Sequence, residues 1–276
     1  MNDVKDMPND RWRALRRPST RFLKRYIMHS DHHGFIGRIY DLSIVGLNFE
    51  SYEEVARHPD CKYALDTNYW VSGLAARVES LNLIGDMLWL DPYPDFAKFP
   101  ITQYDWLTVT TDVFLMRFVS VIDCALLLVN EVFRLELDAK QCTIGKLRRK
   151  GIPASVNAHL QMMLDEQEAL RVERNARIHH GAEREFTEDD QTFRMAARFG
   201  VIGKDIHGRR INADRSFKEG LVVLQRYFNR STRLLQKQLD PLYDLLWEEF
   251  EDHFGPLIAA ATHGFNARSR HKASSR

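Results

Sequence analysis

The sequence predicts an all-α protein on two observations, helical spacing and helix-boundary residues. Three long segments, at about 103–136, 153–181 and 214–250, repeat apolar residues at the three-to-four spacing of an amphipathic helix. Pro153 stands where a helix can begin, since the first helical turn tolerates a missing N–H, and Gly181 stands where one can end. The 276 residues are 44% hydrophobic and 28% charged, a composition typical of an ordinary globular protein.

The segment 103–136 predicts a central helix, because apolar residues surround its second half almost completely. Its one polar line consists of Ser120, Asp123, Asn130 and Arg134. Such a line must meet water, polar groups of another helix, or a site. Asp123 and Asn130 are therefore either part of a cleft or hydrogen-bonded groups of the core or an interface.

The second segment predicts a helix with one packed face that ends in a charge. The face consists of Val156, Leu160, Met163, Gln167, Leu170 and Arg174. A charge that continues an apolar stripe is costly unless it is paired or lines a cleft, so Arg174 is a candidate functional residue.

The third segment predicts a helix in which Pro241 produces a kink or a break. Its buried face is predicted to contain Phe217, Leu221, Leu224, Phe228, Leu235, Leu239, Leu242 and Leu246. A short helix near 188–199 and a glycine-punctuated connector over 200–212 precede it.

The first hundred residues are less regular in pattern. Residues 68–90 predict a helix, 90–100 a linker rich in proline and aromatic residues, and 34–49 two short strands or irregular packing. We predict a mostly helical N-terminal accessory region with a basic start over 1–100, a helical domain over 101–255 and a flexible basic tail over 256–276.

Charge is distributed unevenly although the net charge is only +1. Residues 11–30 contain seven cations and no acid. The part from Arg11 to Tyr26 either contacts RNA through phosphate charge and base stacking or packs as a basic helix on the acidic run Glu248–Asp252. Pro18 interrupts a continuous amphipathic helix, which disfavours membrane attachment.

The cysteines and the N-terminus indicate a cytoplasmic protein. Cys61, Cys124 and Cys142 are odd in number and widely separated, as expected in a reducing compartment. The first ten residues lack the apolar core of a secretory signal. The most apolar stretch, 113–135, is interrupted by charged residues, so we expect a buried helix and no membrane span.

The strongest chemical signal is the run Arg174–Gly181, which reads RNARIHHG. A guanidinium group suits phosphate oxygens, and an imidazole can donate or accept a proton near neutrality. This chemistry requires neither a metal nor a cofactor. His32 and His33 lack companion ligands at a recognisable spacing, so no metal site is predicted there.

RNARIHHG resembles the signature of the HEPN superfamily of all-helical domains, in which four to six residues separate an arginine from a histidine. Arg174 and His179 have the four-residue spacing, His180 has the five-residue spacing, and Asn175 follows the arginine as in many members. The apolar run FVSVIDCALLLVNEVFRLELD is also similar to the helix that precedes the motif in this group. The resemblance covers the middle of the chain and implies a HEPN-like helical bundle.

The resemblance implies a metal-independent endoribonuclease that cleaves RNA at a composite site in a homodimer, in stress response or defence. Arg174 would position the phosphate and His179 would transfer a proton, with His180 as the alternative imidazole. On an ideal helix Arg174 and His179 are about 140° apart, so either the last turn is distorted or a second subunit completes the site. Asn175, four residues before His179, is placed to orient its ring.

Other interpretations of the same residues remain open at this point. Arg171 and Arg177 either hold further phosphates or belong to a solvated or dimer-facing surface. Arg174 and His179 could simply interact with the negative end of the helix dipole. The functional alternatives are a non-catalytic HEPN scaffold for dimerisation or for nucleotide or RNA binding, and a general helical interaction protein.

The resemblance also allows an expectation about how the protein is regulated. In some HEPN proteins a tyrosine two positions after the histidine is modified by a partner enzyme. Here Gly181 occupies that position, so such silencing is not expected. An unidentified regulatory partner remains possible.

Overall fold

The computed structural model describes residues 23–96, 98–199, 204, 207–208, 213–261 and 265. Over these residues the protein is all-α, as predicted, without a β-strand. The helices are α1 (Gly34–Ser43), α2 (Tyr52–Val55), α3 (Pro59–Leu88), α4 (Gln103–Val132), α5 (Ile144–Arg149), α6 (Ala154–Glu166), α7 (Glu168–His180), α8 (Asp190–Phe199) and α9 (Ala213–Ala260). Short 3-10 helices occupy Ile44–Asn48 and Ala139–Gln141.

The predicted second helix is in fact two helices, α6 and α7, which meet at Gln167. The Gln167 amide donates to the carbonyls of Met163 and Leu164, and its ψ of 0° ends the regular α6 geometry. The predicted packed face nevertheless continues across this break. Its buried members are Val156, Leu160, Met163, Gln167 and Leu170.

The sequence predicts a kink or a break at Pro241. No break occurs, because α9 continues through the proline. The buried leucines Leu239 and Leu242 continue the apolar face through the proline, so packing on both sides holds the chain helical. Beside it, the His159 ring Nε2 donates to the Gln238 carbonyl over 2.8 Å. The helix then extends to Ala260, into the segment predicted as a tail.

The prediction of two short strands or irregular packing over 34–49 is wrong, because α1 and a 3-10 helix occupy this segment. The His33 ring Nδ1 accepts a hydrogen bond from the Phe35 amide and caps α1. Phe35 and Ile39, four residues apart, are both fully buried. Gly34 lies so close to the Trp247 ring that an added Cβ would be 2.6 Å from it.

The chain forms two compact units, each made of three segments. The first unit comprises 1–27, 83–114 and 176–233, and the second comprises 28–82, 115–175 and 234–276. Buried aromatic and aliphatic side chains fill the described part of the first unit, including Leu107, Phe114, Phe193, Phe217 and Phe228. The second has its own buried set, including Phe35, Phe118, Leu160, Leu246 and Phe250.

None of the described helices has the length and apolar character that a membrane span requires. The division of the chain at residues 100 and 255 stays a prediction.

Candidate functional site

The motif occupies the second half of α7 and the glycine that follows it. Glu168 in the first turn and Arg177, His179 and His180 in the last turn interact favourably with the helix dipole. Gly181 adopts a φ of +64°, and beyond it the Ala182 amide donates to the Ala176 carbonyl over 3.2 Å. The predicted helix end at Gly181 is thus confirmed, because glycine adopts this conformation without the strain of a side chain.

Arg174 and Asn175 form a pair within the second unit. The Arg174 guanidinium donates from Nε and Nη2 to the Asn175 side-chain oxygen, over 3.1 and 2.8 Å. The Asn175 oxygen thus accepts from the arginine, and the expectation that Asn175 orients His179 stays a prediction. This contact holds the guanidinium against α7 without neutralising its charge.

The charge of Arg174 has no acidic partner in the part of the chain that the structure describes. Its side chain is half-buried at the end of the packed face, and no carboxylate oxygen of the described residues lies within 4.0 Å of it. A guanidinium group without a counter-charge can bind an anion. Its planar fork of N–H donors matches two oxygens of a phosphate or of a carboxylate.

His179 and His180 belong to the first unit and are both exposed. Within the described residues, neither imidazole forms a hydrogen bond or an ion pair, so both ring nitrogens are accessible to solvent. An accessible imidazole can exchange protons with a bound substrate near neutral pH. The structure does not distinguish the two histidines by their contacts.

From the sequence, Arg177 either holds a phosphate or belongs to a solvated or dimer-facing surface. The structure shows that it is not on a solvated surface. Its side chain is only 6% exposed, and its Nε donates to Oδ1 of Asp112 on α4 over 2.5 Å. The Nη1 of Arg177 is buried and lacks a hydrogen-bond partner among the described residues. Arg177 therefore connects the last turn of α7 to α4, instead of being free to bind a phosphate.

Arg171 also approaches an acid of α4, in the second unit. Its Nη1 lies 3.5 Å from Oδ1 of Asp123, and the two side chains are 28% and 51% exposed. The Arg171 Nη1 atom is buried, but an ion pair of this length with an exposed acid contributes little stability. Neither Arg171 nor Arg177 is thus a free cation, which weakens both as RNA-binding residues.

The polar line of α4 has a largely structural role. Buried Asn130 accepts from the Leu137 amide over 3.0 Å and donates to the Leu137 carbonyl over 3.2 Å, which fastens the turn after α4. Ser120 donates to the Arg117 carbonyl, and the Arg134 guanidinium lies 5.8 Å from the Tyr63 ring centre. Of the two open interpretations, Asn130 fits the hydrogen-bonded core group.

The histidines near the start of the described chain pair with acids of α9. His32 Nε2 lies 3.5 Å from Asp240 Oδ1, and His33 Nε2 lies 3.2 Å from Asp244 Oδ1. No group of three or more metal-binding side chains with suitable geometry occurs within the described ranges.

The basic N-terminal segment is described only from residue 23. Tyr26 donates its amide to the Asn229 side-chain oxygen over 2.8 Å, and the Asn229 amide group donates to the Lys24 carbonyl over 3.0 Å. The end of the segment therefore packs on the middle of α9. The predicted partner Glu248–Asp252 lies elsewhere on that helix, where Glu251 pairs with Arg38. Residues 11–22 lie outside the described part of the chain.

A cavity of about 700 Å³ lies in the second unit, lined by residues that include Tyr69, Trp70, Arg77 and Cys124. No residue of the RNARIHHG motif lines it. The cavity is therefore not formed by the motif residues.

Sequence reasoning missed the partnership of Arg177 with Asp112 and the row of exposed arginines on α9. Asp112 gives a weak signal, as an acid within the apolar run of α4. A clearer signal is the spacing of four and three residues between Arg226, Arg230 and Arg233. This spacing places the three arginines on one helix face.

A comparison with known protein families agrees with the helical fold. Residues 66–238 match the HEPN_Cthe2314-like HEPN family. Since the match covers more than half of the chain, the protein belongs to this HEPN family. No curated protein and no solved structure matches the chain significantly.

Proposed function

We propose that the protein is a metal-independent endoribonuclease of HEPN type that acts as a cytoplasmic homodimer. The observation that supports this best is the unneutralised Arg174 guanidinium on the same helix as the exposed imidazoles of His179 and His180. HEPN membership supports it further, because many members of the superfamily are ribonucleases. The expected biological setting is stress response or defence.

The proposed reaction is an internal transfer at the phosphate. The ribose 2′-oxygen attacks the adjacent phosphorus while an imidazole, assigned to His179, removes the 2′-hydroxyl proton. The bond from phosphorus to the 5′-oxygen breaks, and that oxygen takes a proton from an imidazolium. Arg174 stabilises the charge that builds on the non-bridging oxygens. The products are a cyclic phosphate and a 5′-hydroxyl end, and no proton is gained or lost overall.

Dimerisation is part of the proposal because a straight helix does not bring Arg174 and His179 to one phosphate. Two apolar side chains of α7, Val172 and Ile178, are exposed and are therefore available to an interface with a second copy. A second copy of the chain could then supply the imidazole that meets Arg174.

The first experiment is a cleavage assay with structured and unstructured RNA in the presence of a chelator. We expect Arg174→Ala and His179→Ala to lower the cleavage rate at least about a hundredfold, the usual range for loss of a proton-transfer group or a charge-stabilising group. The cleavage rate of the His180→Ala variant shows whether His180 is the imidazole that transfers the proton. His29→Ala and Arg198→Ala, exposed residues of the same types elsewhere, are the matched controls.

A subunit-complementation experiment tests the composite site. Arg174→Ala and His179→Ala proteins, each inactive alone, are mixed under conditions that allow subunit exchange. A site shared between subunits leaves one intact Arg174 and His179 pair in each mixed dimer, so about a quarter of the natural activity returns with random exchange. No recovery after verified exchange would contradict the shared site.

The non-catalytic alternative makes a different prediction for the same assay. If the natural protein binds RNA but cleaves none of the substrates, the scaffold interpretation replaces the nuclease. If Ala substitution at Arg174, His179 and His180 leaves cleavage unchanged, the activity does not reside in the motif.

A further inference from the structure

We propose that an exposed face of α9 in the first unit binds the phosphates of single-stranded RNA and holds the strand beside the motif histidines. We call this face the α9 cationic strip, defined by Arg226, Arg230 and Arg233. The inference rests on the proposed ribonuclease function for its biological role. The binding it predicts can nevertheless be measured separately from cleavage.

Helix geometry places the three arginines in one row. At 100° per residue they lie within about 60° of one another around α9, and at 1.5 Å per residue they extend over about 10 Å. All three are exposed, whereas Leu224 and Phe228 on the opposite side are buried in the first unit. The core residues of α9 thus orient the arginines toward solvent as a set.

The strip is not neutralised by the described residues around it. None of their carboxylates forms an ion pair with Arg226, Arg230 or Arg233, although Arg215 on the same helix pairs with Glu219 over 3.0 Å. A short row of cations without acids produces a local positive potential that concentrates anions. It also matches a ligand whose negative charges repeat along a line, as phosphates do.

Two tyrosine rings lie beside cations in the first unit. The Arg184 guanidinium lies 4.3 Å from the centre of the Tyr227 ring, and the Arg233 guanidinium lies 5.3 Å from the centre of the Tyr26 ring. Exposed Lys24 adds a further cation, and its carbonyl is held by Asn229. Planar guanidinium and tyrosine faces beside cations favour single-stranded nucleic acid, because unpaired bases can stack on them.

The strip adjoins the motif through the chain itself. Arg184 stacks on Tyr227 only four residues after His180, and all three belong to the first unit. Four residues span at most about 14 Å, so the Cα atom of His180 lies within that distance of the Cα atom of Arg184. A strand bound along the strip can therefore present a phosphate to the motif histidines.

The test measures binding of a fluorescein-labelled uridine 20-mer by fluorescence anisotropy at several salt concentrations. The His179→Ala protein is used so that the RNA is not cleaved. Arg226→Gln, Arg230→Gln and Arg233→Gln are each expected to weaken binding severalfold. Each should also lower the slope of log affinity against log salt by about 0.7, the value for one released phosphate contact on a single strand.

Two matched controls separate the strip from general charge loss. Arg198→Gln on α8 and Arg215→Gln at the start of α9 make the same chemical change outside the strip, and both should leave the affinity and the slope unchanged. Equal effects from the control and strip variants would overturn the proposal. So would equally effective competition by polyglutamate, because that result would assign the strip to an acidic protein.

Cleavage kinetics distinguish failure of the strip from failure of the nuclease. In the protein with natural His179, the triple Arg→Gln variant should raise the KM for the 20-mer more than the KM for a tetranucleotide. Equal changes for both substrates would overturn the strip while leaving the nuclease in place. Loss of 20-mer binding in a protein that cleaves no RNA would support the strip and remove the nuclease.

Discussion

Arg177 of α7 donates to Asp112 of α4 over 2.5 Å, and the arginine side chain is almost fully buried while the aspartate is 41% exposed. The arginine therefore depends on its partner more than the aspartate does. Loss of the carboxylate leaves a buried cation without a counter-charge, whereas loss of the guanidinium leaves an acid that water can solvate.

This asymmetry gives the first prediction. Asp112→Ala should destabilise the protein by about 2 kcal/mol, below the range for fully buried pairs because Asp112 is partly exposed. Combining it with Arg177→Met should recover part of the loss. Urea unfolding gives the free energy of unfolding of both variants. Asp123→Ala, which removes the exposed partner of Arg171, is the control, and we expect it to cost at most about 0.5 kcal/mol. Equal losses at Asp112 and Asp123 would contradict the difference in burial.

The second prediction concerns the Arg174 and Asn175 pair. Asn175→Asp places a carboxylate where the amide oxygen now accepts from the guanidinium, so it should neutralise the cation available to phosphate. We expect cleavage to fall about tenfold, equivalent to about 1.4 kcal/mol. Asn175→Ala removes only the orienting contact and should have a smaller effect. Single-turnover cleavage rates compare the two variants, and a larger loss with alanine would contradict the electrostatic argument.

The third prediction concerns Gly181, whose φ of +64° strains any other residue except asparagine to some degree. A Cβ added there has open space, so the cost of Gly181→Ala is one of backbone conformation alone, about 1 kcal/mol. Gly145→Ala is the matched control, because Gly145 lies in α5 and also has open space around it. Thermal unfolding should show a lower Tm only for the Gly181 variant.

The fourth prediction uses Glu131, whose pKa is raised by burial and, to a smaller extent, by the nearby Asp66 carboxylate. The folded state therefore holds this proton more tightly than the unfolded chain does. The stability contributed by protonated Glu131 is fully present below its unfolded pKa of about 4.3 and is lost as pH rises through the folded pKa. Glu131→Gln should thus be more stable than the natural protein at pH 7, with the advantage vanishing near pH 4. Urea unfolding at both pH values checks this, and an advantage that is independent of pH would refute it.

The sequence alone determined the helices whose apolar spacing is regular, such as α4 and α9, and the helix end at Gly181. Those features are local, because a face repeating every 3.6 residues and a glycine that adopts a positive φ are properties of neighbouring residues. The RNARIHHG run likewise identified the HEPN family from eight residues.

The contacts of the side chains in that run depend on how distant parts of the chain pack together. Arg177 is buried because Asp112, 65 positions away, meets it on another helix. The charge of Arg174 is left without a counter-charge because no acid among the described residues pairs with it. α1 forms where strands were considered because its buried face and the tight contact of Gly34 with Trp247 outweigh the weak helix preference of its glycines. These outcomes depend on groups far apart in the chain, so periodicity and spacing do not contain them.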